Sequence, residues 1–368
     1  MKTNLVLYRK YRPQTFSEVI GQEHVVRTLT NALLSKTISH AYLFSGPKGS
    51  GKTTVARVFA KAVNCENQNS FEPCNKCSSC LEIMEGRAID LIEIDAASHR
   101  GIDDIRELRD GIRFAPVKSK YKVFIIDECH QLSKDAANAL LKTLEEPPAH
   151  AIFILATTEI HKMIPTIISR CQRFDFKRLQ IPEIIRKLEF ISKKENIRFE
   201  KSALSLIALN SRGSFRDAES LMDECISSCG KTASIKTGDL KSLLGIVEVE
   251  QISKLIDFIV AKNAKEAISY LNKIADGGAD LQEFAKSLIY YLRQSLLFKI
   301  SPELLDLETS GLSEKEMEKI SAQTASFRES DLQKMIGLFI DAENKMKYSP
   351  LPQLPLELAI IDIIQPKD

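Results

Sequence analysis

The chain has 368 residues, which is enough for two or three domains. With 44% apolar and 27% charged residues its composition is that of a soluble globular protein, and this excludes a low-complexity or fibrous chain. No apolar run approaches the roughly 18 residues that cross a bilayer, and the N-terminus lacks a signal-peptide core, so we expect a cytoplasmic protein without membrane contact. The 51 basic and 49 acidic side chains nearly balance, so any nucleic-acid contact must come from a local patch.

A basic and aromatic segment, residues 8–16, opens the chain and is followed by an apolar pair, Val19 and Ile20. A helix is predicted over 23–35. Arg12, Val19 and Ile20 are candidates to enclose an adenine ring, because they lie just upstream of the phosphate loop described next. An N-terminal arm packed on the protein surface is an equally good interpretation of these residues alone.

A full match to the phosphate-loop pattern G-x-x-x-x-G-K-[ST] begins at Gly46. It follows a predicted buried strand, 41–45, and opens a predicted helix, 53–63, which is the context that the motif requires. Glycines let the backbone fold around phosphate oxygens, and the helix N-terminus favours negative charge. The predicted nucleotide-binding residues are Gly46, Pro47, Lys48, Gly49, Ser50, Gly51, Lys52, Thr53 and Thr54, with Lys52 on the β- and γ-phosphates and the Thr53 hydroxyl on Mg²⁺.

Four of the eight cysteines follow that helix with the spacing C-x8-C-x2-C-x2-C. Four thiolates at such spacings can close a tetrahedron around Zn²⁺ and leave no position open for water, so we predict a structural zinc knot over 65–80. A redox pair and an iron–sulfur cluster are the alternatives. The predicted zinc ligands are Cys65, Cys74, Cys77 and Cys80. Two later cysteines, Cys225 and Cys229, are expected to pack in a helical core.

The next predicted strand, 90–95, leads to a predicted helix over 102–114 that carries arginines three and four residues apart on one face. They could follow a DNA phosphate backbone, or form a solvated face paired with the acidic residues between them. These arginines are Arg106, Arg109 and Arg113, and Arg100 could join them in a phosphate track.

A buried strand predicted over 121–128 ends in Asp127 and Glu128. Asp127 is predicted to hold Mg²⁺ through its water shell, and Glu128 to orient or deprotonate the attacking water. The run Asp127-Glu128-Cys129-His130 also looks like a helicase motif.

After a helix predicted over 133–145, another buried strand, 151–156, is followed by Thr157 and Thr158, where a polar side chain could sense the γ-phosphate or fix the attacking water. Further on, Arg170 would reach the phosphates of a neighbouring subunit more easily than those of its own.

Together these segments resemble the bacterial DNA polymerase III gamma/tau subunits, which are AAA+ clamp-loader ATPases. The residues that carry the resemblance are Tyr11-Arg12-Pro13, Val19-Ile20-Gly21-Gln22, the phosphate loop, the four cysteines, Asp127-Glu128, Leu144-Glu145-Glu146-Pro147-Pro148, Ala156-Thr157-Thr158 and Ser169-Arg170-Cys171.

The resemblance implies an α/β RecA-like AAA+ P-loop domain with an inserted zinc knot, 1–178, followed by a small all-α lid, 179–240, and an all-α collar, 241–368. It implies the catalytic set Lys52, Asp127, Glu128, Thr158, Arg170 and Arg216, with Thr158 as sensor 1, Arg170 as the arginine finger and Arg216 as sensor 2. Cys129 stands where family members commonly have an aliphatic residue. Longer members carry further domains beyond the matched region.

ATP, Mg²⁺ and Zn²⁺ are the implied cofactors. The implied partners are delta, delta-prime and further gamma/tau subunits in a hetero-oligomer of five, the sliding clamp and primer-template DNA. Such a subunit would be an ATPase within the DNA polymerase III holoenzyme, whose nucleotidyltransferase activity belongs to the whole assembly. Two alternatives stay open, a superfamily 2 helicase and a scaffold that binds ATP without hydrolysing it.

Overall fold

A computed structural model of the chain describes residues 5–67, 71–98, 111–112, 114–230, 234–243, 249–301, 303 and 314–365. It forms two compact units, the first made of Met1–Ile191 and Asn210–Asp223 and the second of Ser192–Leu209 and Glu224–Asp368. The domain limits expected at 178 and 240 stay predictions. Arg100, Arg106, Arg109 and Arg113 lie outside the described residues, so the structure does not place the predicted phosphate track.

A five-stranded parallel sheet forms the framework of the first unit. Its strands are β1 (Ala41–Ser45), β2 (Leu91–Asp95), β3 (Lys122–Asp127), β4 (Ala151–Thr157) and β5 (Gln172–Asp175), in the order β2-β3-β4-β1-β5. β1 and β4 are buried along their whole length, as expected for central strands of a parallel sheet. The edge strand β5 was not predicted.

Alternate residues of the strands enter two hydrophobic cores. Tyr42 and Phe44 of β1 pack with one core, while Leu43 packs with the other. The helices of this unit are α1 (Leu7–Lys10), α2 (Glu23–Leu34), α3 (Lys52–Asn64), α4 (Ser78–Glu85), α5 (Lys134–Glu145) and α6 (Pro165–Ile168), with 3-10 turns at Phe16–Glu18, Cys129–Gln131 and Ile160–Lys162. α2 and α3 cover the first core and α5 the second, so the sheet is sandwiched between helical layers.

Three helices follow, α7 (Ile181–Glu195), α8 (Lys201–Asn210) and α9 (Phe215–Cys229), as predicted. Two short strands, β6 (Arg198–Phe199) and β7 (Ser234–Ile235), pair in parallel and were not predicted. They precede α10 (Thr237–Leu243).

The rest of the second unit is a helical bundle. Its helices are α11 (Val249–Val260), α12 (Ala264–Asp276), α13 (Leu281–Ile300), α14 (Glu314–Thr324), α15 (Glu329–Met346) and α16 (Leu354–Ile364). α13 and α15 pack along each other, and residues such as Leu288, Leu332 and Phe339 are fully buried between the helices. None of the helices in the described ranges combines the length and the apolar character that crossing a membrane requires.

Candidate nucleotide and metal sites

The phosphate loop connects β1 to α3, and close packing requires glycine at two of its positions, Gly46 and Gly49. At Gly49 φ is +74°, and a Cβ atom there would stand 1.9 Å from the Ser214 hydroxyl oxygen. At Gly46 a Cβ atom would stand 2.5 Å from the Phe176 carbonyl oxygen. No side chain fits at either position without moving its neighbours. The loop is therefore held closely against the segments that carry Phe176 and Ser214 and keeps the shape that leads into the N-terminus of α3.

Lys52 is the first residue of α3, and its side chain folds back over the loop. The Nζ atom donates to the carbonyl oxygens of Gly46 and Pro47, at 2.9 Å each. The residue is only 6% exposed, and this burial lowers the pKa of the ammonium group, while the nearby Glu128 and Asp127 carboxylates act in the opposite direction. The ammonium group is thus fixed on loop carbonyls, within the loop that is predicted to hold phosphate.

Thr53 and Asp127 come together at the carboxyl end of β3. The Thr53 hydroxyl donates to Asp127 Oδ2 at 2.7 Å. A hydroxyl oxygen and a carboxylate oxygen are hard ligands of the kind that Mg²⁺ takes alongside phosphate and water. The donor set therefore fits a magnesium ion bound together with a nucleotide.

Glu128 lies next to Asp127 in the left-handed backbone region, with φ of +48°. Its Oε2 atom accepts a hydrogen bond of 2.8 Å from the Thr158 hydroxyl and one of 3.3 Å from the Thr158 amide. The structure thus brings the predicted base and the predicted sensor into direct contact. Both bonds end on Oε2, so Thr158 holds one carboxylate oxygen of Glu128 and the other oxygen, Oε1, can accept from a water molecule.

A cleft of about 280 Å³ joins these groups. Its walls include the predicted residues Arg12, Val19, Ile20, Lys48, Gly49, Ser50, Gly51, Lys52, Thr53, Thr54, Asp127, Glu128 and Arg216. The guanidinium carbon of Arg216 lies 5.1 Å from the centre of the Tyr8 ring, within cation–π range. Candidate residues from the N-terminal segment, the loop, β3 and α9 therefore share one cavity.

Two buried charged residues of this cleft were missed from the sequence, Lys187 and Glu219. They are 8% and 5% exposed, and the Lys187 ammonium group donates to the Tyr11 carbonyl oxygen at 2.9 Å. Burial raises the pKa of Glu219 to about 7 and lowers that of Lys187, while each charge partly offsets the shift of the other. They are distant in sequence, so no local pattern signals the pair.

Arg170 lies just after α6. It is not among the described residues that line the cleft. Its guanidinium group donates to the Thr166 carbonyl oxygen at 2.9 Å and to Glu145 Oε1 at 2.6 Å. The side chain is 34% exposed. Its role as an arginine finger stays a prediction.

The four predicted metal ligands converge. The Sγ atoms of Cys65, Cys74, Cys77 and Cys80 all lie within 4.8 Å of one another. Four sulfurs at about 2.3 Å from one zinc ion would stand about 3.8 Å apart, so a small contraction of this cluster makes a tetrahedral site.

Backbone amides already surround the sulfurs of this cluster. The amides of Lys76 and Cys77 donate to Cys74 Sγ at 3.4 and 3.3 Å, and the Cys80 amide donates to Cys77 Sγ at 3.5 Å. The Lys76 amide is the main cause that lowers the pKa of Cys74 to about 6, whereas burial raises the pKa of Cys65 and Cys80. Amide donors that favour thiolate are typical of a structural metal site.

The fold and the two sites define the class of protein. A phosphate loop on a five-stranded parallel sheet, followed by helical segments, is the α/β P-loop architecture of AAA+ proteins, with a helical lid and a helical C-terminal region. A variant of RuvB from Thermotoga maritima has a similar structure, with a TM-score of 0.50 and 20% identity over 68% of this chain and 79% of that one. At this identity the likeness concerns the fold alone.

Sequence comparisons give the family. Models described as "DNA polymerase III, delta subunit", "DNA polymerase III clamp loader subunit, ATPase lid domain" and "DNA polymerase III subunits gamma and tau domain III" match residues 21–180, 183–231 and 235–368. The chain is 45% identical to DNA polymerase III subunit tau of Bacillus subtilis, over 98% of this chain and 63% of the relative. It is 38% identical to DNA polymerase III subunit gamma of Buchnera aphidicola subsp. Baizongia pistaciae, over 97% of this chain and 95% of that protein.

The chain therefore belongs to the DNA polymerase III gamma/tau subunit family. It spans 63% of the Bacillus subtilis tau subunit and 54% of the Escherichia coli tau subunit, to which it is 38% identical.

Proposed function

We propose that the chain is the ATPase subunit of a bacterial replicative clamp loader within the DNA polymerase III holoenzyme. The carrying observation is the arrangement of Lys52, Thr53, Asp127 and Glu128 around one cleft, with Thr158 bonded to Glu128, in a chain of the gamma/tau family. The nucleotidyltransferase activity of the holoenzyme is assigned to the assembly and not to this subunit.

Residues 46–54 would hold the phosphates of ATP, and Thr53 and Asp127 would hold Mg²⁺, which supplies charge neutralisation between the β- and γ-phosphates. Lys52 would exchange the carbonyl oxygens of Gly46 and Pro47 for phosphate oxygens. Glu128 would orient the attacking water, with Thr158 holding its carboxylate in place until the γ-phosphate is present. Arg12, Val19 and Ile20 would enclose the adenine, and Arg216 would approach the γ-phosphate from the other wall.

The cysteine cluster would hold Zn²⁺ in a structural role. Four ligands complete the tetrahedron, so no coordination position is left for a substrate.

The proposed partners are delta, delta-prime and further gamma/tau subunits, in an assembly of five, together with the sliding clamp and primer-template DNA. Residues 1–178 would form the nucleotide-binding domain, 179–240 the lid and 241–368 the collar through which subunits assemble. ATP bound between subunits would open the clamp for loading, and hydrolysis would release it. Arg170, whose side chain is partly exposed, would complete the ATP site of the adjacent subunit.

The helicase alternative is not favoured. A superfamily 2 helicase needs a second α/β domain, whereas the described residues after 179 form helices and two strands of two residues each. A scaffold that does not hydrolyse ATP would lack turnover, which the following experiment measures directly.

The test is Arg170→Ala in the assembled loader. A finger supplied in trans stabilises transition-state charge, so turnover stimulated by DNA and clamp should fall roughly 10³-fold while ATP affinity is retained. Steady-state phosphate release and binding of a fluorescent ATP analogue measure the two quantities.

Arg173→Ala is the matched control, because Arg173 lies in the same region and, like Arg170 with Glu145, pairs with a carboxylate, that of Asp175 at 2.8 Å. It should keep turnover within about twofold of the parent. Full turnover in the Arg170→Ala assembly would refute the role in trans. A parent assembly that binds ATP without any turnover would favour the scaffold.

A further inference from the structure

His130 is a largely buried polar side chain beside the nucleotide cleft. The proposed function assigns it no role. It lies on the 3-10 turn Cys129–Gln131, two residues after Glu128. Its side chain is only 6% exposed. An imidazole that is shielded from water to this degree needs hydrogen-bond partners within the protein. The groups that face its nitrogen atoms therefore indicate its role.

The ring lies between two carboxylates. Nδ1 is 3.0 Å from the Thr157 hydroxyl oxygen and 3.5 Å from Glu128 Oε2. Nε2, on the opposite side of the ring, is 3.6 Å from Glu159 Oε1. One imidazole therefore connects the predicted catalytic carboxylate with a second carboxylate outside the cleft lining.

The hydrogen bonds around Thr157 indicate how the ring is oriented. The Thr157 hydroxyl oxygen accepts from the Glu159 amide at 3.0 Å and lies 3.0 Å from Nδ1 of His130. Thr157 thus holds the Nδ1 side of the ring, while Nε2 faces the Glu159 carboxylate.

Glu159 begins the segment that leads to Arg170. Its carbonyl oxygen accepts from the Lys162 amide at 3.1 Å, and its Oε2 atom pairs with the Lys162 ammonium group at 2.6 Å, so Glu159 anchors both ends of the turn Ile160–Lys162. α6 follows at Pro165–Ile168, and the Arg170 amide donates to the Ile167 carbonyl oxygen at 3.1 Å. A shift of Glu159 would therefore pass into a short, hydrogen-bonded segment that ends at Arg170.

We propose that His130 is a positioning residue that couples the Glu128 carboxylate to the segment 159–170. The inference rests on the proposed function for the roles of Glu128 and Arg170. When bound ATP draws Glu128 away from Thr158, the contact at Nδ1 changes, and the ring transmits this change through Nε2 to Glu159. One subunit would thereby adjust the arginine that it presents to its neighbour according to the occupancy of its own site.

The direct test is hydrogen exchange on the isolated full chain, with and without Mg²⁺ and a non-hydrolysable ATP analogue. In the parent, nucleotide should slow exchange at residues 46–54 and change exchange at 159–170. In His130→Ala and in Glu159→Ala the first response should remain, and the second should fall by at least about half.

His161→Ala is the matched control. His161 Nε2 is also 3.4 Å from a Glu159 oxygen, but its side chain is 73% exposed and lies on the solvent side of the turn. This variant should respond to nucleotide as the parent does.

The second test is a double-mutant cycle in the assembled loader. His130→Ala and Glu159→Ala should each lower kcat roughly tenfold with KM within about twofold, and the double variant should lose no more than either single variant. His130→Gln, which keeps a polar atom at about the reach of Nε2, should recover part of the loss.

An unchanged response at 159–170 in His130→Ala would overturn the coupling, and so would additive losses in the cycle. Weaker nucleotide binding together with a lower melting temperature in His130→Ala would show a merely structural role and would also overturn it. A parent chain whose residues 46–54 show no response to nucleotide would instead refute the proposed function. A parent that responds at 46–54 but not at 159–170 refutes this inference alone.

Discussion

One helix separates the two sites of the first unit. α3 begins at Lys52, in the phosphate loop, and ends at Asn64, directly before Cys65 of the cysteine cluster. Its 13 residues put the two sites roughly 20 Å apart along its axis. At its N-terminal end polar side chains bind one another across an open cleft, and at its C-terminal end four sulfurs face a common centre.

The two ends of α3 differ in whether their contacts can be replaced by contacts with a ligand. At the N-terminal end of α3, the Lys52 ammonium group contacts loop carbonyl oxygens and the Thr53 hydroxyl contacts Asp127. Nearby, the Thr158 hydroxyl contacts Glu128. Each of these contacts can be exchanged for a contact with a ligand. In the cluster four ligands close around one point, and nothing is left to exchange. The comparison therefore predicts that changes at one end of α3 alter turnover, and that changes at the other end alter stability.

The largest effect that separates the two ends is expected at Cys77. Its sulfur accepts the Cys80 amide at the N-terminus of α4, and a serine hydroxyl can keep this cap while it removes a thiolate ligand. Cys77→Ser should lose the bound zinc and about 3 kcal/mol of stability, which corresponds to a fall in melting temperature of roughly 6–12 °C. Turnover below the transition should stay within about threefold. Elemental analysis, thermal melts and phosphate release provide the three measurements.

Cys229→Ser, at a half-buried cysteine outside the cluster, is the control and should keep the zinc. Folded parent protein without zinc would remove the metal assignment. A Cys77→Ser chain that keeps its stability but loses turnover would show that the cysteine cluster serves turnover and not stability.

The sequence predicts both ends of α3 well because both are encoded locally. The phosphate loop and the cysteine spacing are short patterns, and the strands that end at Asp127 and just before Thr158 are continuous apolar runs. Such runs are typical of strands that are buried on both faces. The same rule fails for β5, because only Phe174 of its four residues is buried and the apolar signal is weak.

Contacts between distant segments are not encoded in this way. Lys187 meets the Tyr11 carbonyl oxygen and shares a cleft with Glu219, although long stretches of chain separate these residues. The sequence marks His130 only as part of a possible helicase motif, and its contact with Glu159 requires the turn after β4. In both cases the three-dimensional fold, and not a periodic pattern, brings the polar groups together.

A second, smaller effect should appear at Glu219, on the cleft side of the comparison. Burial raises its pKa to about 7 from an ordinary value of 4.5, so the folded state holds the proton more tightly than the unfolded state. The contribution to stability is fully present below pH 4.5 and is lost as pH rises through about 7. Between pH 5 and pH 8 the loss should be about 2.5 kcal/mol, because about 1.4 kcal/mol is lost for each pH unit between the two pKa values.

Glu219→Gln should remove this dependence, because the amide stays neutral. Melting temperatures should be measured at pH 5, 6, 7 and 8. The melting temperature of Glu219→Gln should rise relative to that of the parent as pH increases. Glu224→Gln, at an exposed position later on α9, should follow the parent at every pH. If the difference in melting temperature between Glu219→Gln and the parent did not change with pH, burial would not raise the pKa of Glu219 as described.

The smallest effect is expected at Cys129, which directly follows the predicted catalytic carboxylates Asp127 and Glu128. Its thiol is 4% exposed, packs 3.4 Å from the Met163 sulfur and has a pKa that burial raises, so it should act as a small apolar side chain and not as a thiolate like Cys74. Cys129→Val should change stability by less than about 1 kcal/mol and turnover by less than about twofold. Cys129→Ser should cost about 1–3 kcal/mol, because it buries a hydroxyl group in an apolar site. If Cys129→Val abolished turnover in a folded chain, the thiol would take part in the reaction, and sulfur chemistry would no longer be confined to the far end of α3.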